Sequence, residues 1–136
     1  MDKTAETNLS YPAKFFQRGD PIHLRAQQAW VILAGLANNN QTVTYGDLSR
    51  MMGYGGRSAR ATIKPVALIA KFCLDNGLPQ LNALVVNAAT GVPGDEVILK
   101  EGDTSPSAQQ RAFNYAWYEV RVPSPGSFRR VWAEWE

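Results

Sequence analysis

Five basic side chains fall within one stretch of the chain that contains no acidic residue. This stretch runs from Leu48 to Leu74, and its basic residues are Arg50, Arg57, Arg60, Lys64 and Lys71. Guanidinium and ammonium groups bind phosphate oxygens through charge-assisted hydrogen bonds, so this pattern fits contact with a phosphate backbone. Such a run is also typical of a helix face that contacts only water, and at this point both interpretations stand.

The residues needed for most catalytic and metal chemistry are missing from the sequence. The chain of 136 residues has one cysteine, Cys73, and one histidine, His23, so it has neither a disulfide nor a Cys/His metal site. The glycines near residue 55 lack the Gly-Lys-Ser/Thr ending of a phosphate loop. The neighbouring acids Asp95 and Glu96 are typical of a solvated loop. We therefore expect a non-enzymatic protein without cofactor or metal.

Composition and charge describe one ordinary globular domain. Apolar residues make up 45% of the chain, charged residues 19%, and the net charge is +2. That net charge is too small to indicate a nucleic-acid partner by itself, so the local distribution has to carry the argument. No leader-like start and no long apolar run is present, which predicts a cytoplasmic protein without a membrane anchor. We expect an N-terminal arm over residues 1–18 and a single domain over 19–136.

Capping signals place the first helices. Asp20 and Pro21 predict the start of a helix whose apolar stripe includes Trp30, and the asparagines at 38–40 predict its end. Thr44, with Asp47 three residues later, resembles the capping box of a short second helix that Gly53 stops. Ser58 is the predicted cap of a third helix that reaches residue 76 and that Pro65 should kink or split. A basic stripe runs along this third helix in the prediction, and Cys73 falls on the opposite, apolar side as a small core residue.

The remaining chain predicts a small β component and further helices. Residues 81–87 are rich in β-formers and predict a strand, followed by a turn or wing over 88–94 and a short return strand over 97–99. A helix is predicted over 107–120 and a last helical turn over 128–135. The predicted fold is mainly α with a small β component, and its order of elements describes a winged helix-turn-helix.

Two motifs resemble those of the DNA-binding domain of alkylguanine DNA alkyltransferases and alkyltransferase-like proteins. The segment 43–48, "VTYGDL", matches the family's "TYG" step, and 58–61, "SARA", matches its "ARA" step. The resemblance covers about residues 26–94 and implies that Tyr45 contacts a target phosphate and that Arg60 inserts into the base stack. The reactive "PCHRV" segment is absent, so alkyl transfer by the family's route is not expected. The segment 77–94 also resembles small uncharacterised bacterial and phage proteins, some of them near defence genes.

The sequence therefore predicts a protein that binds duplex DNA with a recognition helix that begins near residue 58, and modified or distorted DNA is a candidate target. The predicted nucleic-acid-binding residues are Tyr45, Arg50, Arg57, Ser58, Arg60, Lys64 and Lys71. Tyr45 could instead pack under the first helix, and Arg60 could instead pair with Asp47 or with the acidic loop over residues 95–103. The alternative function is a protein-interaction module, for example a defence, anti-defence or adaptor protein, whose partner meets Trp132 and Trp135.

Overall fold

Helices make up most of the described structure, and two short strands in the connections between helices pair with each other. The computed structural model describes residues 12–54, 56–91 and 102–135, without the side chains of residues 56–58 and 135. The elements are α1 (Ile22–Asn38), β1 (Val43–Thr44), α2 (Tyr45–Met51), α3 (Ile63–Asp75), β2 (Val85–Val86), α4 (Ser105–Phe113) and α5 (Pro125–Trp135), with 3₁₀ segments at Gly56–Thr62, Leu81–Leu84 and Trp117–Glu119. The expectation of a mainly α fold with a small β component is confirmed.

Helix α1 buries the predicted apolar stripe but begins differently from the prediction. Its cap residue is Pro21, which offers no side-chain hydrogen bond to the helix. The Asp20 carboxylate accepts the backbone N–H of Gln17 at 2.7 Å, so it closes the preceding turn and does not cap the helix. The helix ends at Asn38 as predicted, and Asn40 has a φ of 55°, which asparagine tolerates better than most residues.

Helix α2 begins as the sequence predicts. The Thr44 side chain accepts the backbone N–H of Asp47 at 3.0 Å, which satisfies one of the unpaired donors in the first turn. Gly53 follows the helix with a φ of 90°, a conformation that strains residues with a side chain. Arg50 lies in the last turn, where a cation is favoured by the helix dipole.

The predicted third helix is wrong in its first part. Residues 56–62 form a 3₁₀ segment, and α3 begins only at Ile63. Pro65 explains the change because it has no N–H to donate to the carbonyl of Ala61, as a continuous α-helix would require. Pro65 lies in the first turn of α3, where a missing donor is tolerated, so it limits the helix and does not kink it.

The strand predicted over residues 81–87 is shorter in the structure. Residues 81–84 are 3₁₀, and only Val85 and Val86 pair as β2, in parallel with Val43 and Thr44 of β1. The predicted helix over 107–120 is the shorter α4 followed by a 3₁₀ turn, and the predicted last turn is the full helix α5. Residues 88–90 of the predicted turn or wing form a turn, and residues 92–94 and the return strand at 97–99 lie outside the described residues.

Aromatic rings hold the helices together. The Trp30 ring of α1 packs edge-on against the rings of Phe72 and Trp117, each with centroids 5.5 Å apart. Phe128 of α5 contacts Trp30 and Phe72, with centroid distances of 6.3 and 5.5 Å. Trp30, Trp117 and Phe128 are buried, so both of these tryptophans are core residues. This cluster places α5 against α1 and α3.

Candidate nucleic-acid interface

Three cationic side chains from different elements line one shallow cavity. Arg25 lies on α1, Arg60 on the 3₁₀ segment, and Lys64 in the first turn of α3. The cavity measures about 340 Å³, and its other lining residues are the apolar Ile22, Ala61, Ile63 and Pro65. None of the described residues in the lining carries a carboxylate. We call this site the basic cavity.

Arg25 is held in place by neutral groups. Its Nε donates to the backbone carbonyl of Asp20 at 3.0 Å, and its Nη1 lies 3.5 Å from the carbonyl oxygen of Ala61. The guanidinium carbon lies 5.4 Å from the centroid of the Tyr54 ring, within range of a cation–π contact. Carbonyls and an aromatic face orient the guanidinium without cancelling its charge. The positive charge is therefore available to a bound anion.

Pro65 connects the local sequence to this arrangement. In a continuous α-helix the Ala61 carbonyl would accept the N–H of residue 65, but proline has none. The carbonyl is consequently open to the Arg25 side chain. The residue that sets the beginning of α3 thus also helps to position a cation from α1.

A second cavity adjoins the first. It measures about 220 Å³ and is lined by Pro21, Ile22, His23, Leu68, Arg129 and Trp132. We call it the tryptophan cavity; Ile22 lines both cavities. The Lys64 Nζ lies 5.8 Å from the centroid of the half-buried Trp132 ring, so this lysine of the basic cavity contacts the aromatic wall of its neighbour.

Arg129 adds further positive potential to the tryptophan cavity, beside a neutral His23. Arg129 Nη2 lies 3.2 Å from His23 Nε2, a geometry in which the neutral imidazole accepts from the guanidinium. Burial lowers the pKa of His23, and the Arg129 charge lowers it further. The imidazole is consequently neutral near pH 7, and the arginine retains its full charge.

Two of the predicted basic residues are neutralised by acids of their own helices. Arg50 forms an exposed ion pair with Asp47, three residues earlier on α2. Lys71 pairs with Asp75 at 3.4 Å, one turn further along α3. Arg60 therefore does not take Asp47 as its partner, and it forms no ion pair with any residue of the described ranges. Among the predicted basic residues whose side chains are described, Arg60 and Lys64 are the two without an acidic partner.

The remaining predicted site residues lie at the start of α2, in the 3₁₀ segment and at the end of α5. Tyr45 is half-buried and packs against the hydrophobic core at the start of α2, in agreement with its packing alternative. The backbone of Arg57 and Ser58 lies in the 3₁₀ segment, which contradicts the role of Ser58 as the cap of an α-helix. The side chains of Arg57, Ser58 and Trp135 lie outside the described residues.

Cys73 is a core residue, as its predicted apolar position implies. Its side chain is buried, and burial raises the pKa of the thiol to about 12. It lines a separate cavity of about 490 Å³ in which the cation Arg111 is paired with Asp103. Within the described ranges, no group of three or more histidine, cysteine or acidic side chains has a geometry suited to a metal ion. None of the described helices is long and apolar enough to cross a membrane.

Sequence reasoning missed Arg25 and Arg129. Both lie far along the chain from the basic stretch, and no spacing rule links either of them to Lys64. The ion pairs of Arg50 and Lys71 could have been found, because their acids lie three and four residues away on the same helices.

The assembled surface can bind anions and a planar ring, but it presents no activated nucleophile. Its charges are carried by Arg25, Arg60, Lys64 and Arg129, and its aromatic group is Trp132. Compared with protein-family models, with curated proteins and with solved structures, the chain matches none.

Proposed function

We propose that this protein is a non-enzymatic DNA-binding protein that contacts the phosphate backbone through the basic cavity. The observation that carries the proposal is the convergence of Arg25, Arg60 and Lys64 in a lining without a carboxylate. Each of these cations can contact a phosphate and release a condensed counterion on binding. Phosphate contacts of this kind position a protein on duplex DNA without reading its sequence.

In this proposal α2 and α3 are the helix pair of a winged helix-turn-helix. The 3₁₀ segment between them delivers Arg60, and the first turn of α3 delivers Lys64, to the side that faces DNA. Arg50 and Lys71 lie on the same two helices but bring their own counter-charges. They contribute less to binding than the cations of the basic cavity do. A preference for distorted DNA would depend on insertion of the Arg60 side chain into the base stack, and this side chain is exposed.

The test is fluorescence anisotropy of a labelled duplex of about 20 base pairs at about 50 and 200 mM salt. Three phosphate contacts give a slope of about −2.7 in log K against log salt, which is a loss of roughly fortyfold in affinity over that range. Lys64→Gln should weaken binding and reduce the magnitude of the slope by about 0.9. The matched control is Arg121→Gln, which removes the charge of an exposed arginine that lines neither cavity.

Two results would contradict the proposal. One is the absence of duplex binding at the lower salt concentration by a protein that melts cooperatively. The other is an equal loss of affinity in Lys64→Gln and Arg121→Gln, because binding would then depend on overall charge and not on the basic cavity. In the first case the alternative of a protein partner would be the next hypothesis to test.

A further inference from the structure

The basic cavity can contact a backbone phosphate, and its concave form suits a compact terminal anion still better. Its three cations come from three separate elements, and its other lining residues are apolar, namely Ile22, Ala61, Ile63 and Pro65. A flat arrangement of cations along one helix would follow a continuous strand. Cations around a concavity instead favour a group that can enter it and accept from several sides at once.

A terminal phosphate has the matching chemistry. A phosphomonoester carries a charge of about −1.5 to −2 at pH 7 and offers three strong acceptor oxygens. A phosphodiester within a duplex carries one charge and has two free oxygens. Arg25 is already oriented by the carbonyls of Asp20 and Ala61, so less side-chain entropy is lost when it binds.

The neighbouring tryptophan cavity offers a place for the ring next to such a phosphate. Trp132 is half-buried, and its ring is contacted by the ammonium group of Lys64. Arg129 and Leu68 line the same cavity, so it combines an aromatic face, an apolar wall and a cation. Aromatic and guanidinium groups of this kind stack nucleobases without sequence preference.

We propose that the basic cavity binds a terminal phosphomonoester, either at a nucleic-acid end or on a free nucleotide, with the adjoining base at Trp132. This inference rests on the proposed nucleic-acid binding and specifies the end of a strand as the preferred target. The shared chemistry of the two sources is the dianionic phosphate with a base attached. The experiment separates them.

The experiment compares blunt duplexes of about 20 base pairs that are identical except for a 5′-phosphate, a 3′-phosphate or hydroxyl ends. We expect one phosphorylated form to bind at least about tenfold more tightly than the hydroxyl form, which corresponds to one additional charge-assisted contact. Lys64→Gln and Arg60→Gln should remove this preference, and Arg121→Gln should retain it. Covalently closed circular DNA should compete poorly. Adenosine 5′-monophosphate is titrated in parallel, and melting curves of each variant establish that it is folded.

Each outcome decides a different point. Equal, salt-dependent binding of all three duplexes would overturn the inference and leave the proposed DNA binding in place. Binding of adenosine 5′-monophosphate, weakened by Lys64→Gln, without any duplex binding would support the phosphomonoester site and overturn the proposed function. The absence of binding to the duplexes and to the nucleotide would overturn both.

Discussion

The partner of each basic side chain determines how much positive electrostatic potential that side chain contributes at the two cavities. Lys64 lies over an aromatic ring and Arg25 between carbonyls, so both are positioned without loss of charge. Lys71 has the same charge as Lys64 and lies two turns further along α3, but its ammonium group is paired with Asp75. At the scale of the residue, the neutral partners distinguish a candidate binding site from an ordinary polar surface.

His23 provides a direct test of this local electrostatics. Because it is the only histidine, a single imidazole resonance reports its titration by NMR. We expect a pKa below the ordinary value of about 6.5, lowered first by burial and then by Arg129. Arg129→Gln should raise the pKa only in part, since burial remains. A pKa at or above the ordinary value in the unmodified protein would contradict this description.

The same shift predicts the sign of a pH effect on stability. The folded state holds the His23 pKa below its unfolded value, so the unfolded state binds more protons in the window between the two. The His23 contribution to stability is complete above about pH 6.5 and is lost as the pH falls through the folded-state pKa. Compared with the unmodified protein, His23→Gln should show a smaller decrease in melting temperature between about pH 7 and 5. Identical decreases in both proteins would rule out the contribution.

Cys73 should be unreactive in the folded protein. Burial raises the pKa of its thiol to about 12, and the thiolate is the form that attacks electrophiles. Iodoacetamide at pH 8 should therefore leave the native protein unmodified and alkylate it fully in guanidinium chloride, as measured by mass spectrometry. Rapid alkylation under native conditions would show that Cys73 is accessible as a nucleophile.

At the scale of the element, the segment between α2 and α3 is set by its two ends. Thr44 starts α2, Gly53 turns the chain after it, and Pro65 prevents α3 from extending back through Ala61. Thr62 Oγ1 donates to the Ala59 carbonyl at 2.7 Å, which further satisfies the tight 3₁₀ backbone. Arg60 is consequently carried on a 3₁₀ turn and not on α3.

The cap of α2 can be tested by substitution. Thr44→Ala removes the acceptor of the Asp47 N–H and should lower the free energy of unfolding by about 1 kcal/mol. The control is Thr42→Ala, which changes an exposed threonine just before β1 and should alter stability by less than about 0.5 kcal/mol. Urea denaturation measures both values. Equal effects of the two substitutions would show that the Thr44 cap adds nothing.

At the scale of the whole molecule, the C-terminal helix is part of the core that supports the candidate site. Phe128 is fully buried against Trp30 and Phe72, and the same helix carries Trp132 and Arg129 to the tryptophan cavity. The aromatic cluster therefore positions binding groups as well as stabilising the fold. A weakening of α5 packing should affect stability and ligand binding together.

Phe128→Ala should lower the free energy of unfolding by about 3–5 kcal/mol, because it removes a fully buried ring and leaves a cavity. Arg130→Ala, at an exposed position two residues later on α5, should cost less than about 0.5 kcal/mol. Chemical denaturation followed by tryptophan fluorescence measures both. A small effect of Phe128→Ala would show that α5 is not integrated with the core.

The sequence by itself determined the features that depend on residues a few positions apart. It placed the α1 stripe around Trp30, the Thr44 cap and the Gly53 stop, because each follows from helical spacing or from local backbone preferences. It placed Cys73 on an apolar face, and the structure confirms that this residue is buried. It failed at Ser58. An α-helix capped there would need a hydrogen bond from residue 65 to the Ala61 carbonyl, and Pro65 has no N–H to donate.

Only the tertiary structure decided which charges meet. Arg25 approaches Lys64 because α1 packs on α3, and Trp132 approaches the same lysine because Phe128 docks α5 on the aromatic core. Neither association leaves a periodic signal, since the residues belong to different helices and their separation along the chain is arbitrary. Packing of apolar faces sets these positions, and the charged side chains at the edges of those faces are brought together as a result.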